Sequence, residues 1–269
     1  MTSRLTTKGK WEDVWADVRL PQIKKGGADL RRQLTTYLPR DASLSLCEVG
    51  CAVGGRMAWF YKEFGYCVEG IEYAEVAAEV TKRNLDLQSI PATVHVADFF
   101  SDDILTRQYD IVFSAGFIEH FKDLASAVAR HCAIASQYVV LMVPNVYGIN
   151  GLISKTIRPK VYAEHNPIDK PLLWNLCVEA GLTPLFCDYI GGAQLIMPAA
   201  HRPFFRRHRV IARVLNLPVR IFNRVSSTTS QLFHITPRYR WCSSSILFIG
   251  TKSITCANRT GTHLPHSLT

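Results

Sequence analysis

A short apolar strand that runs into a glycine turn and then into a helix constrains this chain more than any other feature. The segment Cys47-Glu48-Val49-Gly50-Cys51-Ala52-Val53-Gly54-Gly55 follows the apolar start at Leu44 and precedes a helical stretch over 56–64. Glycine at such a turn lets backbone approach a ligand closely, and the first N–H groups of the helix face any anion placed there. The same alternation then repeats. Residues 66–71 read as a strand, and 75–87 as a helix with Val76, Val80 and Leu87 on one face. Residues 92–96 and 109–114 read as strands, 121–136 as a helix and 138–143 as a strand. Short strands separated by helices predict a parallel sheet wound on both faces.

Beyond residue 146 the pattern loosens. A helix over 170–180 closed by Gly181, a strand over 183–190 and a last strand over 244–250 bring the expected total to seven strands. The fold expected is therefore α/β: a Rossmann-like, doubly wound, mostly parallel seven-stranded sheet. Residues 1–43 form a helical N-terminal cap, with helices over 11–18 and 28–37 separated by Pro21 and Gly26-Gly27. Residues 44–253 form the main domain, with a basic helical insertion at 194–237 before the last strand. Residues 254–269 form a polar tail.

Composition narrows the class. With 48% hydrophobic and 20% charged residues in 269, the chain can build a large core. Its longest apolar run, 138–144, is far shorter than the roughly 18 residues a membrane span requires. The start lacks the apolar core of a signal peptide, so a soluble, cytoplasmic protein is expected. The eight cysteines form no CxxC pair, so neither a metal site nor a disulfide framework is expected. Charge is unevenly divided: all 22 acidic residues lie at or before Asp188, whereas 11 of the 31 Lys and Arg lie beyond it. An acidic partner for the last third of the chain follows.

Gly50, Ala52 and Gly55 approximate a dinucleotide loop. A nicotinamide cofactor needs glycine at the middle position so that a pyrophosphate can reach the backbone, and Ala52 stands there. Glu48, Gly50 and Gly54 instead match acidic-x-Gly-x-Gly-x-Gly, with Ala52 in place of the central glycine. Gly70-Ile71-Glu72 closes the second strand, Ala97-Asp98-Phe99 follows the third, and Asp110 to Phe121 carries the fourth, ending Ile118-Glu119-His120. In this order the motifs resemble those of the class I S-adenosylmethionine (SAM) methyltransferases. The resemblance covers 46–144 and implies SAM as cofactor, held by Glu48, Gly50, Cys51, Gly54, Glu72, Asp98, Phe99, Ser114 and Gly116. Glu72 would take the ribose hydroxyls, Asp98 the adenine amino group, and Phe99 the ring. A nicotinamide-dependent oxidoreductase, and a catalytically silent module of the same fold that docks on membranes, are the alternatives.

Methyl transfer from a sulfonium needs alignment and exclusion of water, and a base only when the acceptor is weakly acidic. His120, beside Glu119, is the candidate general base, with a structural role as its alternative; Asn145, Tyr147 and His165 are candidate substrate contacts. Trp11 and Trp15, at i and i+4, share a helical face and either close over the cofactor or anchor the cap. In the insertion, Arg206, Arg209, Arg213, Arg220 and Arg224 fall in one helical sector opposite Phe204, Ile211, Leu215 and Phe222, and Pro218 predicts two short helices rather than one. A solvated face, contact with an anionic membrane surface and nucleic-acid binding all fit that pattern, the last least, since no nucleic-acid motif accompanies it. The N-terminal tryptophans, this block and the final Ser-Ser-Ser-Ile-Leu-Phe-Ile-Gly strand also resemble methyltransferases associated with bacterial cell-surface polysaccharide synthesis. That resemblance implies a hydroxyl of a glycan or lipid-linked sugar as acceptor, a quinone or other small natural product being the other class left open.

Overall fold

The computed structural model describes residues 4–193, 195, 211, 214, 216–232 and 238–252. Seven strands are present: β1 (Ser45–Val49), β2 (Cys67–Glu72), β3 (Ala92–Val96), β4 (Tyr109–Ala115), β5 (Ala135–Pro144), β6 (Leu182–Ala193) and β7 (Ser243–Lys252). They form one sheet in the order β3-β2-β1-β4-β5-β7-β6. The first five are parallel neighbours, and β7 enters antiparallel between β5 and β6. The order reverses between β1 and β4, which opens a crevice at their carboxyl ends where α/β sheets bind ligands.

Alternation along the strands divides the core in two. Val112 of β4, Val139 and Leu141 of β5, and Ile246 and Phe248 of β7 face one cluster. Ile111, Phe113, Val140, Leu247 and Ile249 face the other. The helices α1 (Lys8–Trp15), α2 (Ala28–Tyr37), α3 (Gly55–Phe64) and α4 (Glu75–Asp86) precede β3 in the chain. Of these, α2 packs Leu30, Leu34 and Leu38 into the second cluster beside Met57 and Phe60. On the first, α5 (Leu124–Ile134) and α8 (Lys170–Glu179) contribute Val128, Leu173 and Cys177.

Two expectations are corrected in detail. The single helix expected over 121–136 is a 3-10 turn at Ile118–His120 followed by α5, because Asp123 caps α5 by accepting from Ser126 N at 2.9 Å. The loosened stretch after β5 holds α6 (Ile149–Ile157) and α7 (Pro159–Ala163).

Of the basic segment, Arg206, Arg209, Arg213, Phe204 and Leu215 lie outside the described residues, as does the tail at 254–269. Arg220 and Arg224 belong to α9 (Leu217–Leu232), which holds Pro218 in its first turn, where no backbone N–H is needed. The orientation of α9 is inverted. Its polar side meets the protein: Asn216 is buried, and Asn223 exchanges two 2.8 Å hydrogen bonds with the backbone of Leu195. Leu217, Ile221, Phe222 and Val225 are exposed instead, and so are Arg220 and Arg224.

The strap over 21–24 is held across the glycine turn. Asn84, fully buried on α4, accepts from Gln22 N (2.6 Å) and donates to Gln22 O (3.0 Å) and Val53 O (2.8 Å), while Lys24 N donates to Gly55 O (2.7 Å). Asn84→Ala strands Gln22 N and Val53 O, while Gln22 O keeps the Gln88 side-chain donor at 3.0 Å, and should cost about 2 kcal/mol of stability, read as a lower urea midpoint at unchanged m-value.

Candidate active site

A cavity of about 550 Å³ opens at the carboxyl ends of β1, β2 and β4. Its floor is the glycine turn. Gly50 sits at φ +68° and a Cβ there would come within 2.7 Å of the Phe117 ring, so only glycine fits without displacement. Gly54 caps α3 at φ +70°. Ile71, Glu72 and Tyr73 line one wall, Ala97 and Phe99 another, and Ala115, Gly116, Phe117, His120 and Phe121 a third. Trp11, Trp15 and the strap 21–24 contribute the remaining wall from the N-terminal segment.

Most residues expected at the cofactor converge here. Glu48, Gly50, Cys51, Glu72, Phe99 and Gly116 all line the cavity. Glu72 is oriented by Ala52 N (3.3 Å) and Ala74 N (3.0 Å), and burial raises its carboxyl pKa. Burial likewise drives the Cys51 thiol well above its ordinary value, so it acts as a packing group. Gly54 and Ser114 are placed by β1 and β4 beside this wall without lining it. Asp98 turns away: its carboxylate pairs with Arg4 and accepts from Phe100 N at 2.9 Å, facing a neighbouring cleft. Arg4 in turn lies 4.3 Å over the Tyr73 ring.

The acceptor-side candidates separate. His120 lines the cavity with Nδ1 2.8 Å from Glu164 O, and its ring meets Trp11 edge-on at 5.1 Å. Burial pushes its pKa down to about 4, so the imidazole is neutral at physiological pH and weakly basic. Asn145 is buried, donating to Arg240 O (2.7 Å) and Ser243 O (2.8 Å), which fixes the chain between β5 and β7. Tyr147 is exposed beneath Arg240, 4.4 Å from its guanidinium. His165 lies behind His120 at a ring separation of 4.6 Å.

Sequence reading missed Lys24 and Arg56. Arg56 is 6% exposed, lines the cavity, and has no partner for Nε or Nη1. Glu48, 4% exposed, leaves Oε2 without a partner. Burial raises the Glu48 carboxyl to about 7 against the opposing pull of Arg56 and Lys24, and burial lowers Lys24. A group carrying both an ammonium and a carboxylate, as the methionine end of SAM does, would partner these orphaned atoms. A cation in the first turn of α3 opposes the helix dipole, and that signal was available in the sequence.

Comparison with known proteins agrees with this geometry. The profile of a family described as a methyltransferase domain matches residues 23–209. Three solved structures share the fold. A putative sarcosine dimethylglycine methyltransferase from Galdieria sulphuraria is 12% identical, with 83% of each chain covered and a TM-score of 0.57. Geranyl diphosphate C-methyltransferase from Streptomyces coelicolor, solved with S-adenosyl-L-homocysteine, is 14% identical, with 83% of this chain and 78% of that one covered and a TM-score of 0.52. A cyclopropane synthase from Mycobacterium tuberculosis is 13% identical, with 92% and 95% covered and a TM-score of 0.53. The chain belongs to the class I SAM-dependent methyltransferases. It is an enzyme of that class, with SAM as its cofactor; the nicotinamide and silent-module alternatives fall.

Glu48 must be ionised to meet an ammonium, and in the free protein it holds its proton up to about pH 7. SAM affinity should therefore rise with pH up to that point and then level. Calorimetry should show affinity falling about five- to tenfold from about pH 8 to about pH 6, and a much flatter profile for Glu48→Gln.

Proposed function

We propose that the enzyme transfers methyl to a hydroxyl of a glycan, a lipid-linked sugar or another small molecule. The observation that carries this reading is His120. Its ring borders the cavity, its Nδ1–H donates to Glu164 O, and its Nε2, 3.8 Å from Glu119 Oε1, is not engaged in a hydrogen bond. When bound, SAM supplies an electrophilic methyl group on a sulfonium whose leaving group needs no assistance. Glu72 would hold the ribose hydroxyls, Phe99 and Phe117 the adenine face, and Glu48, Arg56 and Lys24 the charged methionine end. Trp11, Trp15 and the strap exclude water, which favours displacement over side reactions. His120 draws on the acceptor's proton as its oxygen becomes nucleophilic.

His120→Ala should lower turnover about a hundredfold while leaving SAM affinity nearly unchanged; full activity would return His120 to a packing role. Labelled SAM incubated with fractionated glycolipid, polysaccharide, small-molecule and RNA pools tests the acceptor. Label in a hydroxyl of a glycan, glycolipid or small molecule supports the reading, and label confined to RNA or to amines rejects it.

We also propose peripheral contact with an anionic membrane surface through α9. Its exposed apolar residues, the neighbouring Arg220 and Arg224 and the lack of acid after Asp188 support this contact. Among the described residues no helix is long and apolar enough to cross a membrane. Each arginine near an anionic leaflet contributes about 1 kcal/mol at modest salt. Wild type should sediment with anionic but not neutral vesicles, and Ile221→Asp or the pair Arg220→Glu and Arg224→Glu should abolish it. Failure of wild type to sediment would reject the contact.

A further inference from the structure

Behind the cavity wall at His120 lies a cluster that the mechanism above leaves unexplained. Glu119, His120 and His165 each offer a ligand atom, and those atoms lie within 4.8 Å of one another. The chain brings them together deliberately. The loop carrying His165 is tied to the 118–121 turn by Asn166, whose N donates to Glu119 O at 2.7 Å and whose side chain donates to Phe121 O.

Both imidazoles are oriented in the same sense. Nδ1 of His120 lies 2.8 Å from Glu164 O, and Nδ1 of His165 lies 2.6 Å from Val161 O. A backbone carbonyl only accepts, so each Nδ1 carries the proton and each Nε2 presents a lone pair. Between them stands the Glu119 carboxylate, 1% exposed, with Oε2 lacking any partner and Oε1 3.8 Å from His120 Nε2, too far for a hydrogen bond. The three residues thus gather two imidazoles and an unpartnered Glu119 Oε2 within 4.8 Å of one another, an arrangement that suits a cation. Lys10 and Arg158 are the nearby cations, and the ion pair of Lys10 with Glu164 offsets its charge.

We propose that Glu119, His120 and His165 form a binding site for a divalent cation of the zinc class. Two neutral imidazoles and one carboxylate match the preference of such ions for mixed nitrogen and oxygen ligands and are poor for magnesium or calcium. Burial keeps both imidazoles unprotonated and raises the Glu119 carboxyl to about 8, so cation binding there would displace the Glu119 proton. Three protein ligands leave at least one coordination position open, and His120 is the ligand that borders the cavity. An acceptor hydroxyl reaching that position would give up its proton to water more readily. This role rests on the hydroxyl reading and passes to the ion the proton-loosening assigned above to His120 alone; occupancy of the site does not rest on it.

Metal-stripped protein carrying Cys67→Ser, which removes the one exposed thiol among the described residues, is titrated with Co²⁺ and followed by visible absorption. One equivalent should bind and be displaced by Zn²⁺, and His165→Ala and Glu119→Gln should each weaken binding at least about tenfold. S-adenosylhomocysteine affinity, measured in parallel, should be unchanged in both variants. If His165→Ala fails to fold, the isosteric Glu119→Gln and the shift of the His120 and His165 ring resonances on adding Zn²⁺ decide the matter. Absence of Co²⁺ binding, or binding indifferent to these substitutions, overturns the site. Loss of S-adenosylhomocysteine binding by the parent protein would instead fail the cofactor assignment.

Discussion

Three ionisable groups gathered around one cavity set the terms for the rest of this structure. Glu48 at the end of β1, Arg56 in the first turn of α3 and Lys24 on the strap all line one cavity, and two of them keep unpartnered atoms. A buried charge without a partner is strongly unfavourable, and Arg56 has the α3 dipole against it as well. Attraction of Glu48 to Arg56 and Lys24 recovers part of that cost, against the repulsion between the two cations. A zwitterionic ligand recovers more, because it supplies an ammonium for one sign and a carboxylate for the other. The glycine turn serves this arrangement: only a backbone free of Cβ at Gly50 brings the two strand ends, the helix start and the Phe117 ring to one point.

That logic explains why the N-terminal segment is part of the site and not an ornament on it. Without the strap and the two tryptophans the charges would face bulk water, and their pairing would be screened. Asn84 is the means of attachment, a buried amide that satisfies backbone on both the strap and the glycine turn. Arg4 extends the closure to the far rim by engaging Asp98 and covering Tyr73. Adenine recognition by Asp98, which the family resemblance implies, would compete with this internal ion pair. Since that pair is partly exposed, the competition is modest.

The sheet was legible in the sequence because its strands are buried on both faces and read as short continuous apolar runs. All seven strands stand where periodicity places them, and the glycine and acid pattern picks out strand-end residues that line the cavity. What escaped was the contribution of segments without periodicity. Lys24 lies between Pro21 and Gly26, and Arg56 reads as an ordinary helical cation until its burial is known. Glu119, His120 and His165 are separated by 44 residues of chain between the last two, and hydrogen bonds from Asn166 and from His120 to Glu164 O bring them together. Cysteine spacing excludes one kind of metal site; a histidine pair assembled by a loop has no spacing to read. The inversion of α9 was illegible for a different reason: an amphipathic pattern gives the direction of the apolar face but not which side the protein occupies.

The switch point divides the labour accordingly. On the side of β1, β2 and β3, regular strands end in residues that line the cavity, and the pattern is correspondingly strong. On the other side of β1 the walls come from a 3-10 turn at Ile118–His120 and from the loop behind it, with α1 closing over both. These irregular pieces can change without disturbing the sheet, so a fold of this class can retain one donor and exchange its acceptors. In this chain they have been used to crowd two imidazoles and a buried carboxylate against the acceptor end. Apolar packing would have stabilised the same loop at lower electrostatic cost, and the polar choice there points to chemistry.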